Sequence, residues 1–126
     1  MLNIERTELI LHTERYQECV RFYRDIFGLP VEFEKNEPRQ TLTCLGFGQS
    51  YLMLERGGTA KRGVKAEHEN PITIRLNVPD VEVAAQYLRS QGIDVLIMKF
   101  DWGSVGKFAD PDCNPCQLRN QPSFGP

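Results

Sequence analysis

The sequence lacks long apolar runs and clusters of basic residues. Its 126 residues include 15 Lys and Arg against 17 Asp and Glu, a formal net charge of −2. This balance argues against a nucleic-acid partner or an anionic membrane surface, and no segment is apolar for long enough to cross a membrane as a helix. The N-terminus has no basic, apolar and cleavage segments in the order of a secretory signal. We therefore expect a single cytoplasmic domain spanning residues 1–126.

Cysteine and histidine are also scarce, with four and two residues respectively. The four cysteines fit reduced thiols better than a disulfide framework. Cys113 and Cys116 form a C-x-x-C string, so a redox or zinc role has to be weighed. No second pair is present to complete a structural zinc site, and the string enters a predicted strand instead of a helix N-terminus. The pattern favours two ordinary thiols.

What the sequence does contain is a repeat of one structural unit. Residues 7–56 and 71–120 each read as one strand, one helix and three strands, joined by the polar linker 57–70. Gly28 and Gly92 end the two helices at equivalent places, as expected for left-handed caps. The sequence predicts an α+β fold of two tandem βαβββ modules, with a pocket between the copies.

Alternation along the strands separates a helix-covered face from an open face. Leu52 and Leu54 are predicted to pack under the first helix, which leaves Tyr51, Met53 and Glu55 on the opposite side. The same alternation places further polar side chains on the open faces of the two modules: Glu8, His12, Thr73, Arg75 and Gln117. Aromatic and sulfur side chains among polar ones fit a ligand-binding surface better than a plain solvent face.

Two strings give the chain a family resemblance. The helix end Phe22–Leu29 (F-Y-R-D-I-F-G-L) and the W-G pair at Trp102, followed by D-P-D-C-N at Asp110–Asn114, resemble motifs of the glyoxalase/bleomycin-resistance/dioxygenase superfamily, the vicinal oxygen chelate proteins. The resemblance implies that the two sheets close a cupped cavity, within one chain or across two. It also implies a homodimer, because dimers are common in this superfamily.

In metal-dependent members of that superfamily, each module contributes one ligand from its first strand and one from its fourth. Those places fall on Glu8, Glu55, Thr73 and Gln117. The chain departs from the family pattern here, because His12 and His68 lie elsewhere, and Cys113 replaces the glycine of the D-P-D-G turn. An oxygen-only set suits zinc, nickel or ferrous iron poorly and suits magnesium or manganese better.

These departures favour a site without a cofactor. Arg75 is predicted on the same face as Thr73 and would compensate the acidic side chains. A divalent ion held by Glu8, Glu55 and Gln117 is the alternative.

Tryptophan occurs once in the chain, at Trp102. Its ring either shields the core beside a hairpin or forms an aromatic wall of the cavity together with Phe100. Flat rings with nearby carboxylates suit a planar or cationic organic ligand, through stacking and cation–π attraction.

Three classes of function remain open at this point. The favoured one is binding of a small organic molecule, aromatic or cationic, in the cleft between the modules. The alternative is a divalent-metal-dependent lyase, isomerase or dioxygenase, and the third is a structural module with a collapsed cleft. The glycine- and lysine-containing linker 57–70 is predicted to be mobile, either as a lid or as a simple connector.

Overall fold

The structure, a computed structural model, describes residues 1–120, and it confirms the repeated βαβββ architecture. Residues 121–126, which the predicted domain includes, lie outside the described part. The elements in chain order are β1 (Glu8–Thr13), α1 (Tyr16–Val20, continued by a π-helical turn Arg21–Ile26), β2 (Val31–Glu37), β3 (Gln40–Phe47), β4 (Ser50–Arg56), β5 (Ile74–Asn77), α2 (Val81–Ser90), β6 (Leu96–Phe100), β7 (Gly103–Ala109) and β8 (Pro115–Asn120).

The eight strands form two four-stranded mixed sheets with the same topology. Their orders are β1-β4-β3-β2 and β5-β8-β7-β6. In each sheet the first strand runs parallel to the last strand of its module, and the other neighbours are antiparallel. The chain divides into two compact units, Met1–Ala60 and Lys61–Pro126, with one sheet in each.

The helices begin and end where local sequence chemistry dictates. Asp80 caps α2 by accepting a hydrogen bond from the backbone N–H of Val83, which satisfies one free donor of the first turn. Gly28 and Gly92 follow their helices with φ of 74° and 84°, so the predicted left-handed caps are confirmed. Among residues 1–120, neither helix combines the length and the hydrophobicity that crossing a membrane would require.

The first helix differs from a regular amphipathic helix. Its second half winds as a π-helix over Arg21–Ile26. Within this turn the neighbouring rings of Phe22 and Tyr23 are both buried, at 4% and 0% exposure. The two rings meet edge to face with centroids 4.9 Å apart, so the helix end is held by aromatic packing.

Each sheet buries the face that its helix covers. Leu52 and Leu54 are fully buried in the first unit, and Ile74, Cys116 and Leu118 are buried in the second, as the alternation predicts. Leu9 is an exception to this pattern. It lies on the outer strand β1 and is 41% exposed, because an edge strand receives less cover from the helix.

The segment 61–70 is anchored to its own unit. Lys65 Nζ and Asn70 Nδ2 both donate to Oδ1 of Asn114, at 2.8 and 3.1 Å, and the backbone N–H of Lys65 donates to the carbonyl of Cys113 at 2.9 Å. Asn114 itself is 3% exposed. These contacts fix the linker to the turn at Asp110–Asn114, which favours the connector interpretation over a mobile lid.

That turn contains the residue that departs from the family pattern. Cys113 is the single non-glycine residue with positive φ in the described chain, at 66°. A side chain in this left-handed region costs about 1 kcal/mol, a cost that glycine avoids.

Replacing Cys113 by glycine is therefore expected to raise the free energy of unfolding by about that amount, measured by urea denaturation. Cys113→Ala, which retains a Cβ, is the matched control and should give no gain; an equal gain would contradict the backbone explanation.

Candidate functional site

The open face of the first sheet carries five of the residues predicted from the sequence. On β1 and β4, Glu8 lies opposite Tyr51 and His12 lies opposite Glu55. Met53 lies between these pairs, opposite Ile10 on β1 and Cys44 on β3. The side chain of Ile10 is 52% exposed, so this face presents apolar as well as charged groups.

Glu8 and Glu55 of that face each have a polar side-chain neighbour. His12 Nε2 lies 4.0 Å from Oε2 of Glu55 in a partly exposed pair. At the other end of the face, the Sγ of Cys44 donates to Oε1 of Glu8 at 3.7 Å. Burial, followed by the negative charge of Glu8, raises the pKa of the Cys44 thiol. This raised pKa favours the protonated thiol of Cys44 over the thiolate.

The register of β1 against β4 bears on the hypothesis that Glu8 and Glu55 share a divalent ion. Glu8 pairs with Tyr51 and Glu55 pairs with His12, so the two carboxylates lie at opposite ends of the strand pair. Four residues of strand correspond to about 13 Å, whereas a divalent ion needs ligand oxygens within about 2.0–2.6 Å. The register therefore places Glu8 and Glu55 far apart along the strand pair, and the alternative ion set of Glu8, Glu55 and Gln117 stays a prediction. Within residues 1–120 there is also no group of three or more His, Cys, Asp and Glu side chains that could hold an ion.

The open face of the second sheet has a different character. Arg75 on β5, Gln117 on β8 and Lys107 on β7 lie side by side in one row across the strands. The next row contains Asn77, Arg119, Val105 and Met98. None of these residues is acidic. Thr73 precedes β5 and is exposed.

Arg75 is held in place by its neighbour in the row. Its Nε donates to Oε1 of Gln117 at 3.0 Å. Because the amide oxygen of Gln117 accepts this bond, its NH₂ group remains the donor end of that side chain. We call Arg75, Gln117 and Lys107 the cation row.

An aromatic stack lies at the end of the same sheet. The rings of Phe100 and Trp102 are stacked with centroids 5.1 Å apart and an interplanar angle of 4°. The guanidinium carbon of Arg119 lies 4.4 Å from the centroid of the Trp102 ring. Phe100 and Trp102 are 46% and 42% exposed, which favours the aromatic-wall interpretation of Trp102 over core shielding.

Lys107 and Arg119 are the site residues that sequence reasoning missed. Arg119 shares its face with Gln117 by simple alternation, so the strand pattern could have indicated it. Lys107 enters the row only through the register of β7 against β8, which the sequence does not specify.

The C-x-x-C string takes no part in either face. Cys116 is 1% exposed and lies on the helix-covered side of β8, with its Sγ 3.6 Å from the carbonyl oxygen of Asn114. Cys113 is partly exposed, and the four cysteines, all within the described residues, form no disulfide. This arrangement agrees with the interpretation of two ordinary thiols.

One family model matches most of the chain. The model of the Glyoxalase/Bleomycin resistance protein/Dioxygenase superfamily matches residues 6–118. The uncharacterized protein YraH of Bacillus subtilis (strain 168) is 28% identical over 112 residues, covering 82% of this chain and 88% of that protein.

Solved structures share the fold at lower identity. The lactoylglutathione lyase of Agrobacterium tumefaciens is similar at a TM-score of 0.69 and 19% identity, over 94% of each chain. TnmS3, an antibiotic binding protein from Streptomyces sp. CB03234, is similar at a TM-score of 0.71 and 15% identity, over 96% of this chain and 98% of that one.

Proposed function

The chain belongs to the Glyoxalase/Bleomycin resistance protein/Dioxygenase superfamily, and we propose that it binds a small planar organic molecule without transforming it. The observation that carries this proposal is the exposed stack of Phe100 and Trp102, with the guanidinium of Arg119 against the Trp102 ring. This stack occupies the open face of the second sheet, and the proposed binding surface is that face.

The exposed ring surface of Phe100 and Trp102 favours binding of a flat ligand. Exposed apolar area is costly in water, and a flat ligand that covers it recovers about 25 cal/mol for each Å² removed from solvent. Aromatic pairs in offset or edge-to-face contact add about 0.5–1.5 kcal/mol beyond that area term. The planar guanidinium of Arg119 packs against the Trp102 ring.

Two features of the first unit support binding over catalysis. The carboxylates that would share an ion lie apart on the β1–β4 pair, and burial raises the pKa of the Cys44 thiol, which disfavours the thiolate. The structurally similar proteins include an antibiotic binding protein and a lyase, so the fold alone decides neither function.

The remaining expectations stay predictions. Glu8, His12, Tyr51, Met53 and Glu55 share the open face of the first sheet and are proposed as further ligand contacts. We also propose that the protein is cytoplasmic and forms a homodimer.

The single tryptophan provides a direct test. Because Trp102 is the only one in the chain, emission excited at the red edge of its absorption comes from the proposed site alone. Titration with neutral, cationic and anionic planar aromatics is expected to change the Trp102 emission saturably for at least one of the three classes. Saturated aliphatic compounds of equal size should give none. Prior treatment with EDTA should leave the titration unchanged. If no planar compound gives a saturable change with folded protein, the proposal fails.

A further inference from the structure

We propose that the ligand is a planar aromatic acid, with a carboxylate, sulfonate or phosphate group bound by the cation row. This inference rests on the proposed function and names the ligand class of the same face. It differs from the cationic ligand that the carboxylates of the sequence suggest.

The first support is the convergence of donors in one row. Arg75, Gln117 and Lys107 occupy directly paired positions on β5, β8 and β7. Neighbouring strands lie about 4.8 Å apart, so the side chains of adjacent members lie within reach of one small oxyanion. Arginine and lysine donate charge-assisted hydrogen bonds to such groups, and a guanidinium does so with two parallel N–H bonds.

The second support is that the Arg75 guanidinium is already oriented before a ligand binds. The Nε–H of Arg75 is used by Gln117 Oε1 at 3.0 Å, which fixes the plane of the guanidinium. An anion that meets an already oriented guanidinium avoids part of the entropic cost of ordering a long side chain.

The third support is that no salt bridge within residues 61–120 includes Arg75 or Lys107. In residues 61–120 the salt bridges are Lys61 with Glu69 and Lys99 with Glu82, and neither includes Arg75 or Lys107. The paired positions of the cation row contain two cations, Arg75 and Lys107, and no acidic residue, although the whole chain has a net charge of −2. Two like charges in one row create a local positive potential that attracts an anion.

The fourth support is the spacing between charge and ring contacts. Arg119 lies one pleat repeat beyond Gln117 on β8, a distance of about 7 Å. Its guanidinium contacts the Trp102 ring at 4.4 Å. The anionic group and the ring of one rigid aromatic acid can therefore engage the cation row and the stack together.

A pair of matched probes tests the inference by calorimetry. Naphthalene-2-carboxylate is expected to bind about tenfold more tightly than the neutral naphthalene-2-carboxamide at low salt, and raising the salt concentration should reduce this ratio. Arg75→Gln and Lys107→Gln should each reduce this affinity ratio severalfold. Each substitution weakens binding of the carboxylate probe and leaves the affinity for the amide probe unchanged. Lys99→Gln is the matched control, because it removes one positive charge outside the row and should preserve the ratio.

The outcomes separate the two proposals. Equal affinity of the two probes for the unaltered protein would overturn the proposal of an anionic ligand, and the proposal of planar-ligand binding would stand. Failure of both probes to bind, together with silence across the planar panel, would overturn the proposed function itself. A ratio that survives both row substitutions would overturn the assignment of the anion site to Arg75 and Lys107.

Discussion

Replacing Trp102 by alanine is expected to weaken binding of a planar ligand by about tenfold to a hundredfold. The substitution removes the ring that contacts both Phe100 and Arg119, so the ligand loses stacking area, and Arg119 loses its cation–π partner. Loss of a well-packed tryptophan from a binding surface typically has an effect of this size. Isothermal titration calorimetry measures it, since the variant has no tryptophan emission.

Tyr87→Ala provides the control for this experiment. Tyr87 lies on α2 and is 46% exposed, so its removal deletes a comparably exposed ring away from the stack. The Tyr87 variant should bind with unchanged affinity. A folded Trp102→Ala protein that binds as tightly as the unaltered chain would show that the stack is not the ligand platform.

Replacing Asp110 by alanine is expected to lower the free energy of unfolding by about 3 kcal/mol. Asp110 is 3% exposed, and its Oδ1 accepts from the backbone N–H groups of Asp112 and Asn114, each at 2.9 Å. Its Oδ2 accepts from Nδ2 of Asn114 at 2.9 Å. Alanine leaves these buried donors without their acceptor, and each such loss costs about 1–3 kcal/mol. The same Asn114 holds Lys65 and Asn70, so the turn and segment 61–70 should loosen together.

Urea denaturation gives the stability change, and hydrogen exchange at the backbone N–H of Lys65 shows whether the linker contact is released. Asp94→Ala serves as control, because Asp94 is exposed and its removal should change stability by less than about 0.5 kcal/mol. An Asp110 variant as stable as the Asp94 variant would contradict the role given to this buried network.

The repeat and the two faces of each sheet could be predicted from the sequence. Strand alternation has a fixed period of two, so buried Leu52 and Leu54 define where Tyr51 and Glu55 must point. Glycine caps at Gly28 and Gly92 are equally local, because they reflect backbone freedom at one residue.

What the sequence could not predict depends on contacts between distant segments. The register of β1 against β4 places Glu8 and Glu55 at opposite ends, and no local pattern specifies such a register. The membership of Lys107 in the cation row likewise follows from β7 pairing with β8. Anchoring of the linker depends on Asn114, a residue 44 to 49 positions further along the chain than Asn70 and Lys65.

A ¹H–¹⁵N NMR titration with naphthalene-2-carboxylate tests whether the open face of the second sheet binds a planar ligand. We expect saturable shifts of the single indole N–H of Trp102, the Nε–H of Arg75 and the side-chain amide of Gln117, with α2 unaffected. Shifts confined to α2, or saturable binding that leaves these three signals unmoved, would contradict binding at that face.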